Sequence, residues 1–179
     1  MSTTTKFPGR PAPSEHNPYY RQYIDRVPDG DLVAQFARQG AETAALLAAF
    51  DDERAQWRPA PGEWNALEIA GHLADAERLF SYRALRIARG DMTPMEGVDD
   101  VPSYVTFGNF AIRSMADVAA ELAAVRQVSL AFYGSLDAAA WQRVGTADGH
   151  PISVRALAYL ITGHELHHLP DLRMARDRT

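Results

Sequence analysis

The chain has 179 residues, 46% of them hydrophobic, and its 18 Lys and Arg against 23 Asp and Glu leave a net charge of −5. That length suits one domain with a core of its own, and the acidic balance argues against a nucleic-acid partner, which usually meets a basic face. With no cysteine, disulfides and thiolate–metal ligation are excluded, and without a membrane-length apolar run or a signal-peptide core the expected setting is cytoplasmic, with no membrane partner.

Residues 1–18 are polar and hold Pro8, Pro11, Pro13 and Pro18, which reads as a flexible N-terminal arm, or one wrapped over the body. Residues 19–179 read as a single domain. A first helix is predicted near 29–50, capped by Asp29 or Asp31, with Leu32, Phe36, Thr43, Leu46, Leu47 and Phe50 as its inner side. A loop with Trp57, Pro59, Pro61 and Trp64 leads to a second helix near 65–90. Its start, Asn65-Ala66-Leu67-Glu68, has the spacing of a capping box, and Gly90 is a natural stop. His72 and Arg83 both fall on its apolar face, with Ile69, Leu73, Ala76, Phe80 and Ile87. The mixed charges Glu77, Arg78, Arg83, Arg86, Arg89 and Asp91 read mainly as a solvated face; an Arg at the bundle mouth could instead hold an anionic substrate.

A long connection over 91–113 carries Tyr104 and Phe107, and connections of that length often cover a cavity. The third helix, near 114–135, is capped by Ser114; the fourth, near 153–176, by Ser153. No stretch shows convincing strand alternation. The expected fold is therefore all-α, an antiparallel four-helix bundle with long inter-helix loops.

On the fourth helix Val154, Leu157, Ile161, His164 and His168 form one stripe, so the two histidines continue the apolar seam. Residues four apart lie one above the other on a helix, and their imidazoles can aim at one point. His72 stands on the inner face of another helix. It alone would read as a hydrogen-bonded core histidine, but buried imidazoles need partners, and three on inner faces can share a metal. His72, His164 and His168 are accordingly the candidate metal ligands, leaving an open position for water or substrate.

The string His164-Glu165-Leu166-His167-His168 also matches a zinc-protease signature. Such enzymes take a further ligand downstream, where only Asp171 and Asp177 remain, so that reading is set aside. A di-iron bundle needs a second Glu-x-x-His motif that is absent. Glu165 and His167 point about 60–100° from the pair, and His167 is a candidate pocket group. Glu68 reads as the cap and Asp75 as solvated, with a bond to a ligand histidine as the alternative for either. His16 and His150 fall in expected loops and are not ligands.

Taken in order, Trp64-Asn65-Ala66-Leu67-Glu68-Ile69-Ala70-Gly71-His72-Leu73-Ala74-Asp75, the stretch 82–91, Gly163-His164-Glu165-Leu166-His167-His168 and the opening Pro18-Tyr19-Tyr20 resemble the DinB/YfiT-like superfamily of metal-binding four-helix bundles. The resemblance spans about 18–173 and implies one divalent ion on His72, His164 and His168. Zinc or nickel is expected first, then iron or manganese. It also implies a homodimer and a small-molecule substrate. Some members transfer low-molecular-weight thiols onto electrophiles or isomerise thiol adducts, and others are labelled hydrolases. The expected function is thus a metal-dependent enzyme activating a thiol or water. The alternative is a non-catalytic, metal- or ligand-binding stress-response protein. Pro170, just past the site, is expected to kink the last turns.

Overall fold

A computed structural model describes residues 9–98 and 100–178. In chain order the helices are α1 (Arg21–Ile24), α2 (Leu32–Leu47), α3 (Asp52–Gln56), α4 (Ala66–Ala88), α5 (Val101–Phe107), α6 (Met115–Gly134), α7 (Ala138–Gln142) and α8 (Val154–Asp177). A hairpin of β1 (Val144–Ala147) and β2 (His150–Ser153) precedes α8. The long helices α2, α4, α6 and α8 build the expected bundle.

Each long helix starts where a side chain can accept from its orphan first-turn amides. Asp31 accepts from the Ala34 amide, Ser114 from Asp117 and Ser153 from Ala156. Asn65 accepts from the Glu68 amide while Glu68 reaches back to the Asn65 amide, a full capping box. The first helix ends at Leu47, short of the expected Phe50, because Asp51 caps the separate turn α3. α8 continues through Pro170 as one element to Asp177.

Around the bundle, α2 neighbours α6 and α8, and α4 neighbours the same two, so the first two long helices, α2 and α4, stand on a diagonal. One apolar cluster joins Leu32 and Phe36 of α2 to Ile87, Tyr133 and Val154; the other joins Leu46 and Leu47 to Leu67, Val118 and Leu172. The early residues of α2 and α8 thus share one end of the bundle with the late residues of α4 and α6. The antiparallel arrangement expected from the sequence holds for α4 against α8 and α2 against α6, whereas α4 and α6 run the same way. Ser81 of α4 meets Ser129 of α6, and one turn earlier Glu77 meets Arg126. A parallel neighbour needs a connection that returns the full helix length, which is what the segment from Arg89 to Ser114 does.

The hairpin corrects the sequence reading, which found no strand. Asp148 and Gly149 have φ of 52° and 69°, the pair of left-handed residues a two-residue hairpin turn requires. Val144 pairs with Ser153 and Ala147 with His150, and Met95 of the long connection bridges to Ala147. The hairpin is four residues per strand, too short for its alternation to stand out in sequence.

Of the arm, Met1 to Pro8 lie outside the described residues. Arg10 donates to the carbonyls of Ile24 (2.9 Å) and Val27 and to Asp29. Glu15 pairs with Arg155 of α8 at 2.7 Å, and His16 is buried. Among the described residues no helix is long and apolar enough to cross a membrane.

Candidate metal centre

The antiparallel crossing of α4 and α8 sets the second turn of one against the later turns of the other, which brings His72 to His164 and His168. One ring nitrogen from each of the three lies within 4.8 Å of the others, and the Nε2 atoms of His72 and His164 are 3.0 Å apart. His164 is buried and the other two are half-buried. Among the described residues this is the one group of three or more His, Asp and Glu side chains close enough to share an ion.

Two glycines permit the crowding around the group. A Cβ on Gly71, the residue before His72, would stand 2.3 Å from the Phe110 ring. A Cβ on Gly163, the residue before His164, would stand 2.0 Å from the Tyr23 carbonyl oxygen. Only a bare Cα lets these segments lie on the helices. The second contact places the Tyr23 ring edge-on to His164 and His167, at centroid distances of 5.4 and 5.3 Å. Trp64 covers the opposite side, 4.8 Å from His72 and 6.2 Å from His168.

Burial disfavours the charged form of each imidazole. It pushes His72 down to about 4 and His168 to about 3, the latter helped by His72 and His167. His164 is pushed well below its ordinary value by burial, then by His72, His168 and His167. All three are neutral at physiological pH, the state in which imidazole binds a metal. Ligand nitrogens about 2.0–2.1 Å from one tetrahedral ion lie roughly 3.3 Å apart, so the donor set fits such an ion after small shifts of its rings.

The group forms the floor of a cavity of about 470 Å³. Its walls are largely aromatic, with Tyr19, Tyr20, Tyr23, Trp64, Phe80 and Tyr104, and its polar positions include Asp75, Arg83, Asp148 and His167. Tyr19 and Tyr20 come from the segment before α1, and Tyr104 from α5 of the long connection. Sequence reasoning had Tyr104 in a connection of cavity-covering length and Tyr19 and Tyr20 in a family-like opening, but it placed none of them at the imidazoles. Burial is the main cause that raises the Tyr23 hydroxyl above its ordinary value, so it stays a donor.

The other candidate groups divide plainly. Glu68 serves the cap and pairs with Arg58 at 2.7 Å, away from the imidazoles. Asp75 is half-buried at the cavity wall, where burial raises its pKa and Arg78, 3.1 Å away, opposes that. Asp171 stands 4.0 Å from His168 Nδ1. His167 lines the cavity, and its buried Nδ1 makes no hydrogen bond among the described residues. His16 and His150 lie outside the group.

Glu165 points into the bundle, where it accepts from Arg126 at 2.8 Å and from Gln39. Arg126 also grips Glu77 at 3.0–3.1 Å. Glu77 and Arg83 correct the reading of a solvated charged face, being 1% and 6% exposed.

The chain superposes on YfiT from Bacillus subtilis, described as a probable metal-dependent hydrolase with an unusual four-helix bundle topology, with a TM-score of 0.72 over 96% of this chain and 95% of that one. At 15% identity the likeness is one of fold. No curated protein matches. Residues 35–171, most of the chain including all three clustered histidines, match the DinB superfamily. The chain belongs to the DinB superfamily.

Proposed function

We propose that His72, His164 and His168 hold one divalent ion, zinc or nickel first, and that the protein is a metal-dependent enzyme acting on a small molecule in the cavity above them. The observation that carries this reading is the convergence of three neutral imidazoles, one buried and two half-buried, with no carboxylate among them, on the floor of a large aromatic-walled cavity. A bound ion there would supply Lewis acidity, lowering the pKa of a thiol or water. Three protein ligands leave room for that fourth group.

The chain's own residues supply the rest. Trp64 packs on His72 and His168 and, with Tyr23, limits water at the imidazoles. The Tyr23 hydroxyl, kept protonated by burial, donates to an oxygen or sulfur of the substrate. Asp75, with its pKa raised, is a carboxyl group placed to accept a proton at the wall. The family resemblance favours thiol transfer to an electrophile; the name of the structural neighbour YfiT favours hydrolysis. Both place a nucleophile at the same floor.

Elemental analysis of protein purified without an affinity tag, followed by a panel pairing low-molecular-weight thiols with electrophiles and a panel of esters and amides, tests the reading. One divalent ion per chain with turnover in either panel supports it. Metal without turnover in both favours the non-catalytic binding protein, and absence of metal affinity overturns it.

A second copy of the chain fits the outer face of α4 and α6. Tyr82, Leu85 and Val128 are exposed there around an apolar groove of about 550 Å³. A single species of about 20 kDa in sedimentation at micromolar concentration would overturn the dimer.

A further inference from the structure

The cavity above the three imidazoles has a second charged end. Arg83 follows His72 by eleven residues on α4. At 3.6 residues per turn that is close to three turns, so both side chains leave one face of the helix, with their Cα atoms about 16 Å apart along its axis. Both line the same cavity. Arg83 is 6% exposed, and a guanidinium keeps its charge at any physiological pH.

Its direct hydrogen-bond partners are uncharged groups. Nη2 donates to the backbone carbonyl of Glu96 at 2.8 Å, and the Tyr20 hydroxyl lies beside it. The other deeply buried arginine, Arg126, holds two carboxylates, and Arg155 holds Glu15. Among the described residues no carboxylate pairs with Arg83. Two line the same cavity, but Asp75 is taken by Arg78 at 3.1 Å, and Asp148, which lies near the Tyr20 hydroxyl, forms no ion pair with Arg83. A desolvated charge without a counter-ion is costly. The planar donor fork of arginine matches a carboxylate in particular. Between Arg83 and the imidazoles the walls are aromatic, with Tyr19, Tyr20, Tyr23 and Phe80.

We propose that Arg83 is the anion subsite of this cavity and that the substrate class is an elongated carboxylic acid: a carboxylate at Arg83, an apolar or aromatic middle, and a metal-seeking group at the imidazoles, on the order of 10–15 Å away. The metal end rests on the function proposed above; the Arg83 end stands without it.

Calorimetric titration of the zinc-loaded protein with 3-mercaptopropionate, 8-mercaptooctanoate and 11-mercaptoundecanoate, each beside its primary amide, tests the subsite. The two long acids should bind about tenfold or more tightly than their amides, and the short acid should show no such preference. Arg83→Gln should erase the preference without changing zinc content, and Arg83→Lys should keep part of it. Equal binding of long acids and amides by the wild type, or a preference that survives Arg83→Gln, overturns the proposal. Should Arg83→Gln fail to fold, the wild-type and Arg83→Lys comparisons decide. A metal-free arm separates the two readings, using 4-phenylbutyrate against 4-phenylbutyramide. Zinc affinity absent but acid preference present removes the metal reading and leaves the subsite. Zinc and thiols bound with no acid preference in either arm removes the subsite alone.

Discussion

His164 and Glu165 are adjacent on α8 and both buried, yet their surroundings are opposite. Glu165, 2% exposed, is tied to three other helices through Arg126, Gln39 and, across the same guanidinium, Glu77. Among the described residues His164 is tied to no carboxylate; it faces two further neutral imidazoles, a phenol and an open cavity. Buried polar groups are normally satisfied within the protein. The Glu165 side largely obeys that rule with groups the chain provides, and so reads as structure. On the His164 side three polar rings gather with one carboxylate near them, Asp171 at 4.0 Å from His168 at the rim, the condition of a site whose partner is a ligand. One helix thus carries a structural polar cluster and a candidate functional one on adjoining faces, about 100° and one residue apart.

The comparison breaks most visibly through Arg126. Arg126→Met strands two buried carboxylates and should cost about 3–5 kcal/mol in denaturant unfolding, with part of the loss recovered as the pH falls and Glu77 protonates. Burial already raises Glu77 above its ordinary range, which makes that recovery accessible. Zinc affinity of the folded fraction should be kept; its loss would mean that the two faces are not separate.

His72→Ala should do the reverse. Metal affinity in a calorimetric titration should fall by about a hundredfold or more, since two ligands replace three. The metal-free protein should unfold within about 1–2 kcal/mol of the wild type. The same change at His150 should leave metal affinity untouched.

The pH response of the metal-free protein sharpens the contrast further. In the unfolded chain these imidazoles take protons near 6.5, but in the native protein only near 4 for His72 and near 3 for His168. Between those values the unfolded state holds more protons, so stability falls as the pH drops from about 6.5 towards 3. His72→Gln should flatten that slope, as read from urea midpoints across the window; an unchanged slope would remove the triad as its source. The smallest expected effect lies at the wrapped segment. Arg155 holds Glu15 down to about 2 against an ordinary 4.5, so its contribution is present above pH 4.5 and is lost as the pH falls towards 2. Glu15→Gln should lower stability at neutral pH by about 1 kcal/mol or less, in keeping with an ion pair near the surface.

Much of the architecture was legible because its causes are local. Asp31, Asn65 with Glu68, Ser114 and Ser153 announce the four long helices through caps that act within one turn. The spacing of His164 and His168 on an apolar stripe, with His72 on another, was enough to nominate the three rings that the fold brings within 4.8 Å. The hairpin around Asp148-Gly149 was missed, because its strands are too short to register against a helical background.

The rest depends on contacts between residues far apart in the chain, and periodicity carries no information about those. Glu77 looks like any charged helix residue until Arg126, forty-nine positions away, reaches it across a parallel helix pair. Arg83 stood on the inner stripe in sequence, but only packing shows that no carboxylate among the described residues pairs with it. The aromatic walls come from the segment before α1 and from α5, which no helical period places over the imidazoles. By itself the sequence determined which long helices form and which histidines of α4 and α8 share their apolar stripes, because capping and amphipathic spacing are properties of neighbouring residues. The tertiary structure alone decided which buried charges are paired, which are left for a ligand, and what encloses the space between them, because desolvation and pairing depend on the order in which the helices pack around the bundle.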